Sequence, residues 1–322
     1  MTLTPDRLQP RLLSFVIPVY NGATTIGALV TEILRAFAGH AIEVVLVNDG
    51  STDASEEVCR ELHAAHPDAL TFVHLARNFG EHGAVLAGLR HTSGDVVAIL
   101  DDDGQNPPAE VERMAAMLLG KRYDAVYGNY QVKQHSFFRN LGSRFNDRMA
   151  NWMLNKPRDL YLSSFKVLDR FLVDEITRYE GAFPYIDGLI LRSTRNIGQI
   201  DVEHRQRERG RSGYTTGKLA ALWLNMFLNF SIAPLRLSAL LGVVMSGFSL
   251  LLLVLIVIDK LYLNPQLTHG LPTVLTLMVF FAGLQLVLLG AIGEYLGRLF
   301  LDHSKMPQCV VRYVRRRTPS RP

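Results

Sequence analysis

Up to Gly128 the apolar and polar positions alternate in a way that predicts strands and helices in turn. Residues 13–21, Leu-Ser-Phe-Val-Ile-Pro-Val-Tyr-Asn, are a β-branched run that breaks into a Pro/Asn loop, as a strand does when it leaves a core. From about Thr25 the residues Ile26, Leu29, Val30, Ile33, Leu34 and Phe37 keep helical spacing. Residues 42–47 predict a second strand, closed by Asn48-Asp49-Gly50-Ser51-Thr52-Asp53. There Ser51 or Asp53 is placed to cap a helix carrying Val58 and Leu62. A third strand over 70–75 ends in Arg77-Asn78-Phe79-Gly80, and 83–89 reads as a helix of small residues. Residues 96–100 predict a buried fourth strand running into Asp101-Asp102-Asp103-Gly104-Gln105-Asn106-Pro107-Pro108, and 123–127 a fifth.

Strand and helix alternating at this spacing predict an α/β fold of parallel βαβ units with right-handed crossovers, a Rossmann-like, mostly parallel sheet. Parallel strands put their carboxyl ends on one side. The loops at Pro18-Tyr20-Asn21, Asn48-Asp49-Gly50 and 101–105 therefore converge on one crevice. No Gly-x-Gly-x-x-Gly follows the first strand and no Gly-Lys-Ser/Thr loop is present, which argues against a dinucleotide or a Walker-type ATP site. Asp49 is suited to accept from a base N–H and Tyr20 to pack on the base. Close carboxylates at a strand end call for a cation, and Asp101 and Asp103 lie on one side of an extended loop, placed to hold one on a diphosphate.

The later pattern is different. Over 136–154, Phe137, Phe138, Leu141, Phe145, Met149, Trp152 and Met153 fall on one helical face and Arg139, Arg144 and Arg148 on the other. This is an amphipathic helix of the kind that lies in a membrane interface, the alternative being a helix packed on its own sheet with a solvated face, and 218–233 invites the same reading. The runs 237–258 and 271–292 carry no charge, and at ~1.5 Å per residue each is long enough to cross ~30 Å of hydrocarbon. Arg236 precedes the first, and Arg298, Lys305, Arg312, Arg315, Arg316, Arg317 and Arg321 follow the second. The bias predicts a hairpin with both ends cytoplasmic. The organisation expected is a cytoplasmic domain over 1–234, a transmembrane hairpin over 235–298 and a basic cytoplasmic tail over 299–322.

Composition fits this division. The chain is 48% hydrophobic, and the excess sits near the C-terminus. The net charge of +4 understates the tail, whose bases topology and anionic lipid explain without nucleic acid. Two cysteines, Cys59 and Cys309, match no metal spacing and suit a reducing compartment. Residues 1–11, polar with Pro5 and Pro10, predict no signal peptide.

The stretches Val-Ile-Pro-Val-Tyr-Asn, Val-Asn-Asp-Gly-Ser-Thr-Asp, Arg-Asn-Phe-Gly and Leu-Asp-Asp-Asp-Gly-Gln-Asn-Pro-Pro resemble glycosyltransferase family 2, the inverting GT-A fold. The last is similar to the polyprenyl-phosphate branch, which includes dolichyl-phosphate mannose synthase, bactoprenol glucosyltransferase and undecaprenyl-phosphate 4-deoxy-4-formamido-L-arabinose transferase. The resemblance implies metal-dependent transfer of one sugar to a polyprenyl phosphate, with undecaprenyl phosphate expected, at the cytoplasmic face of a bacterial inner membrane. The donor is expected to be a UDP-sugar, with a GDP-sugar as alternative. Pro18, Tyr20, Asn21, Val47 and Asp49 would line the nucleoside, and Asp101, Asp103 and Gln105 would hold Mg2+ or Mn2+ with Asp102 beside them. The stretch 205–214 is similar to the family's phosphate loop, with Arg207, Ser212 and Tyr214 in the motif. Tyr130 stands where relatives carry Arg, so Lys133 is a substitute cation. Gly22 stands in the place of a Glu, Asn48 of an Asp, and Asp102 of a small residue. The stretch Ser164-Phe165-Lys166-Val167-Leu168-Asp169 is similar to a family motif. In it Ser164 replaces an acid that some members use as a base and Lys166 replaces an Arg, leaving Asp187 as the nearest substitute base or, equally, a structural Asp. The exit Gly293-Glu294-Tyr295-Leu296-Gly297-Arg298 also matches lipid-phosphate members. Family members assemble, and Gly242, Ser246, Gly247 and Ser249 suit close helix contact in a homo-oligomer. Two alternatives are a processive polysaccharide synthase, which would carry Gln-x-x-Arg-Trp, and a non-catalytic membrane scaffold. Neither Trp152 nor Trp223 follows an Arg.

Overall fold

The structure, a computed structural model, describes residues 12–130, 160–181, 184–203, 205, 270–303 and 307–318, with Leu240, Val244, Gly247, Phe248, Leu251, Leu255 and Ile258. The chain forms two units, 1–215 together with 305–322, and 216–304.

The first unit is built on an eight-stranded sheet of order β7-β5-β6-β4-β1-β2-β3-β8. The predicted strands appear as β1 (Leu13–Val19), β2 (Ile42–Asn48), β3 (Leu70–Leu75), β4 (Val96–Ile99) and β5 (Ala125–Tyr130). β1, β2, β3 and β4 pair in parallel. Their side chains are buried almost throughout, because helices cover both faces of the sheet. Helices α1 (Ile26–Ala36), α2 (Ser55–Ala65) and α4 (Ala109–Lys121) pack on one face around Phe15, Leu46 and Phe72. Helices α3 (Glu81–Leu89), α5 (Arg170–Thr177) and α6 (Ile186–Ser193) pack on the other around Val16, Val47 and Val97. The small residues of α3 let it lie against the sheet, and every residue from Gly83 to Leu89 is buried.

Three strands depart from the simple pattern. β6 (Lys166–Asp169) inserts antiparallel between β4 and β5, and β7 (Ile197–Val202) adds in parallel to β5. β8 (Val311–Arg315) pairs antiparallel with β3. The stretch 299–322 is therefore more than a basic tail: Val311, Tyr313 and Arg315 alternate with Arg312 and Val314 and complete the sheet edge. Beyond the strand, the Nε of Arg317 meets Oε2 of buried Glu43 at 3.1 Å. Before it, Arg90 donates to Gln308 Oε1 at 2.7 Å.

In the second unit α7 (Gly270–His303) contains the whole of the uncharged run 271–292. Among the described residues no helix is long and apolar enough to cross a membrane. Most of 237–258 and both predicted interface helices, 136–154 and 218–233, lie outside the described residues.

Candidate active site

β1 and β4 are hydrogen-bonded neighbours, with Val16 opposite Ile99. The chain moves outward from β1 through β2 and β3, then returns to β4 on the other side. In open α/β sheets ligands bind at such a reversal, beyond the carboxyl ends of the strands. The β1–α1 loop and the acidic loop after β4 meet there.

The β1–α1 loop is stapled to the loop after β2. Asn21 sits in the left-handed region, φ 56, which Asn tolerates better than most residues. Its Oδ1 accepts from the Thr52 N–H at 2.9 Å, and its own N–H donates to Ser51 Oγ at 3.0 Å. The Gly22 N–H donates to Ser55 Oγ at 2.9 Å, and that of Ala23 to Asp53 Oδ2 at 3.2 Å. Tyr20 is left 48% exposed, so its ring is open to a planar partner. Pro18 is half-buried behind it and Val47 fully buried.

Asp49 is buried, and its two oxygens accept from the backbone N–H groups of Phe79 and Gly80 at 2.7 and 2.9 Å. Burial pushes this carboxyl up, opposed by those two bonds and by Arg77. The two loops come so close that only glycine fits at position 50: its φ is 60, and a Cβ would lie 2.6 Å from Asn78 N. The expectation that Asp49 faces a base thus meets a residue bound into the loop that would frame the base. Asn48 is likewise engaged. Its Nδ2 donates to His74 Nδ1 at 3.0 Å while its Oδ1 accepts from the Ser51 N–H at 3.2 Å. An amide suits this place, because an aspartate would need a proton on that ring nitrogen.

The acidic loop brings Asp101, Asp102 and Asp103 to the crevice. Asp101 Oδ2 accepts from Ser164 Oγ at 2.5 Å, so the residue in place of the family acid holds Asp101 directly. The Asp101 carboxyl is pushed up to about 7, first by removal from water and then by Glu81, with Ser164 opposing and Asp103 adding to the rise. Asp103 Oδ1 accepts from the Gln105 N–H at 3.1 Å. Asp102 Oδ2 accepts from the Tyr20 N–H at 3.1 Å. Buried Asn106 accepts from Tyr130 OH at 2.9 Å. Gln105 Nε2 donates to the Arg205 carbonyl at 3.1 Å, and the Arg205 N–H returns a bond to the Gln105 carbonyl at 2.9 Å. The expected metal ligand Gln105 thus also ties the acidic loop to the start of the arginine-rich stretch. Lys133, Arg207, Ser212 and Tyr214 lie outside the described residues.

Asp187 is engaged by other partners. Its Oδ1 is ion-paired with Lys166 Nζ and accepts from Tyr127 OH at 2.8 Å. Lys166 and Glu81 act on Asp101 electrostatically, a role that the sequence does not mark for either. The only sign of Lys166 was its position in the family-like Ser-Phe-Lys-Val-Leu-Asp stretch, and Glu81 had none.

Asp101 and Asp103 offer the hard oxygen donors that Mg2+ and Mn2+ prefer. The repulsion of Asp101 by Glu81 and Asp103 is what a divalent cation would relieve. Among the described residues no three His, Cys, Asp or Glu side chains gather to cage one, so the protein would supply only part of its shell.

A family model described as Glycosyl transferase family 2 matches residues 14–177. The fold is shared with glucosyl-3-phosphoglycerate synthase of Mycobacterium tuberculosis. Its complex with Mn2+ and uridine-diphosphate-glucose is 20% identical with a TM-score of 0.52, over 70% of this chain and 81% of that chain. Its complex with Mn2+, uridine-diphosphate and phosphoglyceric acid is 21% identical with a TM-score of 0.52, over 70% and 78%. A further mycobacterial protein is 20% identical with a TM-score of 0.52, over 70% and 77%. These likenesses speak for the GT-A-like architecture expected from the sequence.

Proposed function

Because the chain belongs to glycosyl transferase family 2, we propose that it transfers one sugar, with inversion, from a nucleotide-diphosphate sugar to a polyprenyl phosphate at a membrane. One observation carries the reading: Asp101 and Asp103 stand at the sheet's reversal beside exposed Tyr20, and Gln105 holds Arg205 at the entry to the arginine-rich stretch.

Asp101 and Asp103 would hold Mg2+ or Mn2+, which when bound neutralises charge on the departing nucleoside diphosphate. Tyr20 offers its ring to the base, and the Asp49–Gly80 contact fixes the wall beside it. Arg207, Ser212 and Tyr214 would meet the phosphates. The acceptor brings its own charge, because a phosphate monoester is mostly ionised at neutral pH. Its oxygen forms a bond to the anomeric carbon as the bond to the diphosphate breaks, so one displacement inverts the centre and no protein base is required. The pairing of Asp187 with Lys166 agrees with that route. The chain's contribution is then positioning and electrostatics.

Membrane attachment is supported by the uncharged runs 237–258 and 271–292. Chain connectivity limits the form such attachment can take. Residues 305–322 fold with 1–215, so 216–304 leaves and rejoins the same unit, and any crossings it makes are even in number. A cytoplasmic catalytic unit follows if the positive-inside bias holds.

The test is incubation of membranes bearing the chain with labelled UDP- and GDP-sugars, Mn2+ and undecaprenyl phosphate. The expected result is label in the lipid phase, lost with Asp103→Ala. A water-soluble labelled product made from phosphoglyceric acid would favour a small phosphate acceptor instead, as in the solved relatives' complexes. No product with any donor would remove the catalytic reading.

A further inference from the structure

Two departures of the sequence, Gly22 and Asp102, meet in space. They lie on loops that leave neighbouring strands, β1 and β4, at the point where the sheet reverses direction. Asp102 reaches across this gap and its Oδ2 accepts from the Tyr20 N–H at 3.1 Å. In doing so it fills the volume beside Gly22. A Cβ at position 22 would lie 2.9 Å from Asp102 Cγ and nearer still to Oδ2, with Val19 Cγ1 at 3.4 Å on its other side. A Cβ there would require the Asp102 carboxylate to shift, and that shift would strain its bond to the Tyr20 N–H. A Glu at 22 and a small residue at 102, the family-like pair, would put a carboxylate in the same gap from the opposite wall.

A nucleoside diphosphate bridges these two loops, its base on one and its diphosphate on the other. The far side of the β1–α1 loop is already fixed by Ser51, Thr52, Asp53 and Ser55. Asp102 fixes the near side, and its backbone lies between Asp101 and Asp103. Asp102 is thus a direct link between Tyr20 and the loop carrying the acidic pair.

We propose that Asp102 is a positioning residue for the nucleotide, setting the spacing of the base-binding and diphosphate-binding loops through the Tyr20 N–H, and that Gly22 leaves the room its carboxylate occupies. The inference rests on the donor-site reading and adds a residue pair to it.

The test is a double-mutant cycle in the purified full chain with Gly22→Ala, Asp102→Ala and the double variant, read as UDP affinity in Mn2+ by calorimetry and as melting temperature. Gly22→Ala is expected to weaken UDP about tenfold in the parent and less than about twofold in the Asp102→Ala background, a coupling in the range seen for residues in contact. Asp102→Asn keeps an oxygen for the Tyr20 N–H and is expected to bind UDP within about threefold of the parent, while Asp102→Ala loses more. In turnover, Asp102→Ala is expected to raise KM for the donor about tenfold and to leave kcat within about threefold. Equal effects of Gly22→Ala in both backgrounds, or Asp102→Asn as weak as Asp102→Ala, would overturn the inference while leaving the donor site standing. Should Gly22→Ala fail to fold, the Asn and Ala variants at 102 decide alone. A parent chain that binds neither UDP nor GDP in Mn2+ would overturn the donor-site reading and this inference with it.

Discussion

Lys166 on β6 and Asp187 at the start of α6 form an ion pair in which the residues are only 3% and 8% exposed. Tyr127 OH donates to the same carboxylate oxygen, and Lys166 Nζ lies 5.0 Å from the centre of the Tyr127 ring. Breaking a buried pair from one side leaves an uncompensated charge, which costs about 3–5 kcal/mol. Asp187→Ala should therefore lower the melting temperature sharply, and Lys166→Met with Asp187→Leu should recover much of the loss. Asp187→Asn separates structure from chemistry. Loss of a general base typically costs about 100-fold or more in rate, whereas this pairing predicts kcat within about tenfold for the folded fraction.

His74 provides a second test. Burial holds its ring below the usual histidine range, with Glu56 opposing, and Asn48 donates to its Nδ1. Asn48→Asp replaces that donor by an anion, so the His74 pKa should rise, by about one unit or more. Histidine titration followed by NMR reads this directly.

His82 predicts a pH dependence of stability. Its ring packs edge-on against Tyr185 at 4.9 Å, and burial takes its pKa from 6.5 to about 4. Between those values the unfolded chain holds a proton that the folded chain does not, so stability falls as pH drops from 6.5 towards about 4. His82→Phe should flatten that part of the curve by about one proton, measured by denaturant unfolding at a series of pH values.

Arg317 and Glu43 predict what the last residues contribute. Glu43 is 1% exposed and also accepts from Ser14 Oγ at 2.5 Å and Ser93 Oγ at 2.8 Å. Arg317→Ala should destabilise by about 1–3 kcal/mol, the usual range when a buried group loses one partner. Truncation after His303 should do more, since it also bares the edge of β3 and invites association. Thermal melting and light scattering check the two.

Much of the architecture follows from short-range pattern. The strands β1 to β5 are continuous apolar runs, and their order with the helices fixes which loops face the crevice. That is why Tyr20, Asp101 and Asp103 could be placed together from sequence. β6 could not, because its four residues carry too little alternation, and Lys166 looks like a surface residue until Asp187 meets it. β8 is hidden for another reason. Its arginines fit an account based on membrane topology equally well, and only pairing with a distant strand reveals its role. The behaviour of Asp102 depends on a neighbour with no side chain, and no local pattern encodes that.

The position of β8 in the sheet also orders the life of the molecule. During synthesis β3 emerges early and its partner only after 216–304 has been made, so the sheet waits with one edge open. Because Val73 pairs with Val314, a contact of very long loop closure, this should be among the last steps of folding. Closure of that sheet edge therefore falls after everything between the two strands has been made.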